Sequence, residues 1–282
     1  MLIRVPPTAF DDRAPHVEHV ADERRLMAYA AGVQDDNPRL FDLDREDGIV
    51  GHPLFVACLE WPLVQQGAPG LEFPDGGAHR GLHVSHEIRL HRLIRPGDRL
   101  RTTTRLLAVE PRSIGAYTVV GFETRTFEGE PVADTRQGVL YLGARLEGAP
   151  ERPPARRPRA EETAPLSDLG TFEADLAGAV VYTECSRIWN PIHTDPRVAR
   201  ASGLDGAILH GTATLARCVS LTARHMLDGN VERIVGLSCR FGDPVALPST
   251  VAVQAAVGDG CLHFQATLGE STVLREGIVH VI

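Results

Sequence analysis

Two hydrophobic periodicities alternate along the chain, and together they predict an α+β protein. Apolar residues at helical spacing mark residues 23–32, 53–66 and 211–227 as helices. Alternation of Val, Ile, Thr and Leu with polar residues, typical of half-exposed strands, marks eight further runs. These runs are residues 83–94, 99–112, 116–129, 132–143, 231–246, 249–260, 261–269 and 272–282.

The order of these elements is repeated, which indicates an internal duplication. In each half a loop leads to a long helix, and an antiparallel meander follows. The segment between the halves, LEGAPERPPARRPRAEETAP, is rich in Pro, Arg and Glu and predicts an exposed linker. The sequence therefore predicts an N-terminal unit at residues 1–145, a linker at 146–166 and a C-terminal unit at 167–282.

Short motifs align the two halves with each other. The matched pairs are Tyr29 with Tyr182, Asn37-Pro38 with Asn190-Pro191, and GIVGHP (48–53) with AILHGT (207–212). On this alignment Asp35 corresponds to Ile188, and Leu40 corresponds to His193. Each half therefore keeps one of two polar positions and has lost the other.

The string SRIWNPIHTDP at residues 186–196, followed by AILHGTATLA, carries a family resemblance. It resembles the Asp-x-Asn-Pro-x-His-x-Asp-Pro signature of MaoC-like double hot-dog hydratases and dehydratases, of the R-specific enoyl-CoA hydratase type. LHVSHEIRLHRLIRPGDRL at residues 82–100 is similar to the amino-terminal unit of that family. The departure is Ile188, which stands where the family usually has its catalytic Asp.

The resemblance implies a tandem hot-dog fold, in which each half has one long helix wrapped by a curved antiparallel sheet. It implies reversible hydration of a 2-enoyl thioester to the R-3-hydroxyacyl form, on fatty-acid or polyketide acyl groups. CoA or the phosphopantetheine of an acyl carrier protein would be part of the substrate, and no metal or redox cofactor is expected. Acyl-chain identity, the choice of carrier, physiological direction and oligomeric state stay open, with a homodimer as one option.

Two alternatives remain beside the hydratase interpretation. Other hot-dog families hydrolyse thioesters with a carboxylate and the same helix-start amide, so a thioesterase is one alternative. A non-catalytic acyl-thioester binder, or a partner subunit for a competent hydratase, is the other. The missing Asp favours this last option, and the retained His193 and Gly211 weigh against it.

The resemblance assigns roles to three residues of the second half. His193 would be one member of an acid–base pair, Asn190 would position the water, and the Gly211 amide would stabilise the enolate oxygen. Gly211 also begins the predicted helix, whose unpaired amides and positive dipole end suit a developing negative charge. His210 is expected to hydrogen-bond locally and to support the helix start, and Asp195-Pro196 to cap a short helix.

Three explanations remain for the missing acid. His193 acts without it, or another carboxylate replaces it, or the protein binds thioesters without hydrating them. Glu184 is the nearest replacement in sequence, since in an extended segment it would share a face with Ile188. Asp35 is a further candidate, but a paired duplication places it by the degenerate site of the first half, where we favour a solvated loop. That half is expected to act as a scaffold and to shape the acyl tunnel.

Charge and composition exclude other classes of function. The net charge of -8 argues against nucleic acid as the main partner. The chain has no run of eighteen apolar residues, so no membrane span is predicted. MLIRVPPTAF has no apolar leader region, so a cytoplasmic location is expected. All 29 basic residues are arginines, which excludes a Schiff-base lysine and a Walker A loop.

The cysteines and arginines give the remaining predictions, on disulfides, zinc and phosphate binding. The five cysteines contain no CxxC pair, so neither a disulfide framework nor a zinc site is predicted. Phosphate groups of a substrate would have to be held by arginine, helix termini or backbone amides. Candidates at the mouth of the tunnel are Arg89, Arg217 and Arg240.

Overall fold

The computed structural model describes residues 1–11, 14–74, 76–148 and 165–282. The α-helices are α1 (Glu23–Val33), α2 (Val56–Val64), α3 (Leu176–Ser186), α4 (Pro196–Ala201) and α5 (Gly211–Met226). The strands are β1 (Leu2–Val5), β2 (His16–Val20), β3 (Leu82–Leu90), β4 (Arg99–Arg112), β5 (Gly115–Thr126), β6 (Pro131–Leu142), β7 (Arg145–Gly148), β8 (Ser167–Ala174), β9 (Ile234–Phe241), β10 (Ser249–Val257), β11 (Cys261–Leu268) and β12 (Ser271–Val281).

One ten-stranded sheet runs through both halves of the chain. Its order is β2-β4-β5-β6-β3-β9-β12-β11-β10-β8. Each half supplies five adjacent strands, and the two sets meet at a central pair from which they extend in mirrored order. That pair, β3 and β9, is antiparallel, with Ser85 opposite Arg240 and Arg89 opposite Gly236. The sheet therefore confirms the predicted α+β duplication and makes the seam between the halves a continuous surface.

The eight predicted meander strands and three predicted helical segments are confirmed, whereas several elements were missed. Edge strands β2 and β8 carry few buried residues, so their alternation is weak. Helix α3 has apolar residues on its exposed side, including Val180 and Val181, which hides its helical period. Within the described ranges, no helix is long and apolar enough to cross a membrane.

The predicted start of the linker is wrong by three residues. Residues 146–148 complete strand β7, which pairs in parallel with β1 at the N-terminus. Residues 149–164 of the predicted linker lie outside the described ranges. Leu166 is exposed and immediately precedes β8.

The duplication is visible in the helices that precede each site. Helices α1 and α3 have eleven residues each, and the carboxylates of Asp22 and Asp175 cap their N-termini. Both helices end at a residue in the left-handed region, Gln34 at φ 68° and Arg187 at φ 60°. The alignment of the two halves through Asn37 and Asn190 is therefore confirmed.

Further along, the predicted alignment of residues 48–53 with 207–212 is wrong by one residue. His52 and His210 each precede a helix with nearly the same backbone angles, φ -55° and ψ 143° against φ -58° and ψ 135°. The Gly51 amide donates to the Ile94 carbonyl as the Leu209 amide donates to that of Val245. His52 therefore matches His210, and Pro53 matches the residue after it, Gly211.

Close packing of α1 on α3 holds the two sites in register. Tyr29 and Tyr182 are fully buried, with ring centroids 6.0 Å apart. Gly32 permits this approach, because a Cβ at that position would lie 2.7 Å from the Cβ of Cys185. The backbones are therefore closer here than two side chains allow.

We predict that Gly32→Ala destabilises the protein although alanine is the better helix former. Overpacking the α1–α3 contact should lower the free energy of unfolding by about 1–3 kcal/mol, more than alanine gains in helix propensity. Chemical denaturation measures this, with Ala31→Leu at the exposed neighbouring position as the control. An unchanged or higher stability for Gly32→Ala would show that this contact is loose.

Candidate active site

Residues 190–193 form a short rigid corner that presents His193. Asn190 precedes the 3₁₀ turn Pro191–His193, and its side-chain oxygen accepts from the Ile192 amide at 3.4 Å. Proline at the first turn position fixes the backbone in advance. The Asn-Pro pair therefore forms the predicted turn and leaves the Asn190 Nδ2 without a hydrogen bond among the described residues.

The imidazole of His193 is held in one tautomer. Its Nδ1 lies 2.9 Å from the carbonyl oxygen of Ile208. Because a carbonyl only accepts, the proton sits on Nδ1, and the neutral ring keeps its lone pair on Nε2. No described residue hydrogen-bonds to Nε2. Burial lowers the pKa of His193 to about 4, so near neutral pH the residue is an uncharged base.

His210 packs directly on this ring. The two imidazoles are stacked, with centroids 3.7 Å apart and planes at 27°. The His210 Nε2 lies 3.1 Å from the carbonyl oxygen of Ile188 and donates to it. Burial, with the neighbouring His193 as a second cause, holds the pKa of His210 well below its ordinary value. His210 therefore supports the site as a neutral ring, as expected, and ties the segment at Ile188 to the start of α5.

The start of α5 offers unpaired backbone donors beside the stacked histidines. The first hydrogen bond of the helix runs from the Thr214 amide to the His210 carbonyl. The amides of Gly211, Thr212 and Ala213 therefore have no acceptor among the described residues. A Cβ on Gly211 would lie 3.1 Å from the Phe241 ring, so a side chain here would require that ring to shift by a few tenths of an ångström, whereas glycine fits without any shift. Such donors suit an oxygen that gains negative charge.

The position of the expected carboxylate is apolar and closed. Ile188 is buried, its amide donates to the Ser186 hydroxyl, and its carbonyl accepts from His210. The period-two argument for Glu184 as a replacement is wrong, because residues 176–186 are helical. Glu184 is exposed on α3, whereas Ile188 is buried. The structure brings no carboxylate from this segment to His193.

Asp35 lies in the first half, as expected, but the predicted solvated loop is wrong, because its side chain is buried. One carboxylate oxygen accepts from the Asn37 amide, and the other lies 3.9 Å from the His52 Nε2. His52 in turn reaches the Ser220 hydroxyl at 3.1 Å. Ser220 is nine residues beyond Gly211 on α5, about 14 Å along a helix. Asp35 therefore belongs to a separate site.

The site around Asp35 lacks the groups that the second half offers. Pro53 occupies the position of Gly211, and proline has no amide hydrogen to donate. The Asn37 Nδ2 is already used by the Gly229 carbonyl at 2.7 Å. The His52 Nδ1 accepts from the Leu54 amide at 3.0 Å, so its Nε2 carries the proton and has no lone pair for a substrate. These contacts fit a scaffold.

The three predicted phosphate-binding arginines differ in their environments. Arg217 is buried, donates to the Glu173 carbonyl at 2.8 Å and lies over the Phe172 ring, so its predicted place at a tunnel mouth is wrong. Arg89 and Arg240 are exposed on β3 and β9. Within the described part of the chain, no three His, Cys, Asp or Glu side chains cluster closely enough for a metal site.

Two other residues confirm or extend the predicted site. Asp195 caps α4 and accepts from the Arg197 amide at 2.9 Å, as predicted. Phe241 forms the wall beside Gly211 and was missed. No local pattern marks it, because the contact joins the end of β9 to a helix thirty residues earlier in the chain.

Comparisons with known proteins agree with this architecture. Residues 149–277 match the MaoC like domain, and residues 13–135 match the FAS1-like dehydratase domain region. A 3-hydroxyacyl-thioester dehydratase X of Mycobacterium tuberculosis is 28% identical over 206 residues, 72% of this chain and 69% of that protein. An enoyl-CoA hydratase of the same organism is 29% identical over 203 residues, 68% of this chain and 66% of that protein.

The fold comparison extends over nearly the whole chain. The crystal structure of a MaoC-like dehydratase from Phytophthora capsici superposes with a TM-score of 0.83 at 21% identity. The match covers 98% of this chain and 97% of the other. Together with further matches, it confirms the predicted double hot-dog fold.

We predict that the His193 ring stays neutral, with its proton on Nδ1, down to at least pH 5. Long-range ¹⁵N–¹H NMR of histidine-labelled protein reports both tautomer and titration, and His193→Gln assigns the signal. The expected pKa is about 4 because burial disfavours the imidazolium. A titration between pH 6 and 7, or a proton on Nε2, would contradict the geometry described for this ring.

Proposed function

We propose that this chain, whose residues 149–277 match the MaoC like domain and whose fold is a double hot dog, interconverts 2-enoyl and R-3-hydroxyacyl thioesters by adding or removing water. One observation carries the proposal. His193 keeps an open Nε2 lone pair while stacked on His210, the residue that directly precedes the unpaired amide of Gly211. A proton-accepting nitrogen and an oxyanion donor are thus carried by neighbouring segments of the second half. The dehydratase and hydratase names of the curated relatives support this reaction class.

In the hydration direction, the first step is attack of water on C3 of the enoyl group. His193 Nε2 accepts a proton from the water as the water oxygen bonds to C3. In this proposal Asn190 orients that water through its Nδ2, which has no hydrogen bond among the described residues. Electron density moves from the double bond to the thioester oxygen, and the unpaired amides at the start of α5 stabilise the resulting enolate.

In the second step the same ring returns the proton. The His193 imidazolium protonates C2 as the enolate collapses, so the water oxygen ends on C3 and a proton on C2. A single ring serving as base and then as acid adds both groups to the same face of the double bond. No carboxylate is required for this sequence, although the imidazolium forms without an ion-pair partner and the barrier is correspondingly higher.

Dehydration follows the same path in reverse. Neutral His193 removes the C2 proton, and the imidazolium protonates the departing hydroxyl. Both directions therefore start from the uncharged ring, which burial favours and whose tautomer the Ile208 carbonyl fixes. The steps add or remove one water with no net oxidation or reduction, and we propose that the reaction needs no metal or redox cofactor, with CoA or a carrier-protein phosphopantetheine as part of the substrate.

We predict that His193→Gln reduces hydration of 2-enoyl-CoA substrates at least 100-fold, the range typical of a lost general base. A series from crotonyl-CoA to longer chains should be followed by loss of enoyl absorbance, with free thiol measured in parallel. Enoyl loss without thiol is the expected result. Thiol release would indicate a thioesterase. Binding of every substrate without either change would indicate a non-catalytic binder, and full activity in His193→Gln would remove His193 from the mechanism.

We predict that Gly211→Pro costs about 100- to 1,000-fold in kcat, as expected for loss of an oxyanion donor. Proline suits a first helical position, and the extended backbone of His210 is compatible with a following proline. Gly211→Ala is the matched control, since it brings the same Cβ against Phe241 but keeps the amide hydrogen. Equal activities of the two variants would show that the Gly211 amide is not the donor.

A further inference from the structure

A line of polar side chains starts at the proposed oxyanion site and enters the first half. The ring of Phe241 borders Gly211, and the ring of His83 lies against Phe241 with centroids 4.8 Å apart. His83 Nε2 is 3.2 Å from the Nδ1 of His86, three residues further along β3. His83 is half-buried and His86 fully buried. The line therefore runs from the edge of the site inward along the β3–β9 seam.

The same line continues to a buried carboxyl group on α2. His86 lies directly opposite Gln137 of β6, so their side chains share one face of the sheet. The Gln137 Nε2 donates to Glu60 Oε2 at 2.7 Å. Glu60 is 1% exposed, and its Oε1 has no hydrogen-bond partner among the described residues. The Thr135 hydroxyl interacts with the same carboxyl group and lowers its pKa, but it too is buried without a hydrogen bond of good geometry, so the inner end of the line has two polar groups that are incompletely satisfied.

The chemistry of this line is polar but uncharged. Burial raises the pKa of Glu60 to about 8 and lowers that of His83 to about 4, so near neutral pH both groups are neutral. A protonated Glu60 can both donate and accept a hydrogen bond. Burying such a group without a partner costs free energy that an apolar side chain would avoid. A free-energy cost of this kind is common at binding sites, whereas in a core without a binding role it would only destabilise the protein.

We propose that the line from His83 to Glu60 is a distal acyl subsite, which takes chains carrying an uncharged oxygen, as a hydroxyl or keto group, beyond C3. The proposal rests on the function proposed above, because it places the thioester at Gly211 and the chain along the seam. A purely hydrocarbon chain would leave Glu60 Oε1 unsatisfied. A charged chain end would meet no counter-ion there and would have to be desolvated.

The test compares two 2-enoyl-CoA substrates of equal length, one with a hydroxyl on a distal carbon and one without. The wild-type protein should favour the hydroxylated chain at least tenfold in kcat/KM, because a site built for a hydroxyl discriminates against its absence. Glu60→Leu and Gln137→Leu should each bring that ratio close to one, and Glu60→Gln, which keeps a hydrogen-bonding group, should retain most of it. Thr124→Val, which alters a buried threonine pair elsewhere in the sheet, is the control and should leave the ratio unchanged.

Affinity separates this inference from the proposed reaction. Calorimetric dissociation constants for the two corresponding saturated acyl-CoA compounds measure the same preference without turnover. Preferred binding of the hydroxylated compound, lost in Glu60→Leu, supports the subsite even if no substrate is hydrated. If the unhydroxylated substrate is hydrated, and the unhydroxylated saturated compound binds as tightly as the hydroxylated one or more tightly, the subsite is overturned. The hydratase proposal then still stands. A ratio that Glu60→Leu and Gln137→Leu both leave intact also overturns it.

Discussion

The hydrogen bond from the His193 Nδ1 to the Ile208 carbonyl is the interaction on which the proposed chemistry depends. It fixes the tautomer, so the lone pair is on the nitrogen that faces away from the backbone. Ile208 is three residues before Gly211, and His210 between them stacks on the same ring. One short segment thus orients the base, supports its face and begins the helix whose amides are unpaired. Base and oxyanion donors cannot move independently of each other.

The two halves of the duplication share one backbone arrangement but keep different polar groups on it. The first half keeps Asp35 and His52 within 3.9 Å of each other, buried and engaged with neighbouring backbone and side-chain groups. It has Pro53 where the second half has Gly211, and so it has lost the donor that a thioester oxygen needs. The second half keeps the donor and has His193, whereas Ile188 stands where an acid is expected. What remains in the first half is buried and hydrogen-bonded to the Asn37 and Leu54 amides and the Ser220 hydroxyl.

Much of this could be predicted from residue patterns, for reasons that differ between elements. Strands β4, β5, β10 and β12 alternate clearly because one face packs on helices, and the corner at Asn190-Pro191 is set by local turn chemistry. Helix α3 was not predicted, since its exposed valines mask the period. The one-residue error in aligning His52 arose because Ile49 was paired with Ile208, whereas backbone conformation pairs His52 with His210. Burial of Asp35 and Arg217, and the place of Phe241 beside Gly211, depend on contacts between distant segments, which no local pattern encodes.

The most direct test of the central claim is a crystal structure with an unreactive R-3-hydroxyacyl-CoA analogue, such as one with both C2 hydrogens replaced by fluorine, which leaves no C2 proton to remove. The account predicts the ligand in the second half, with its 3-hydroxyl within hydrogen-bond distance of His193 Nε2. Its carbonyl oxygen should accept a hydrogen bond from the backbone amide of Gly211 or of the residues just after it. No carboxylate side chain should contact the reacting carbons. A ligand bound beside Asp35 and His52, or one that turns a carboxylate toward C2 or C3 in the second half, would contradict the account.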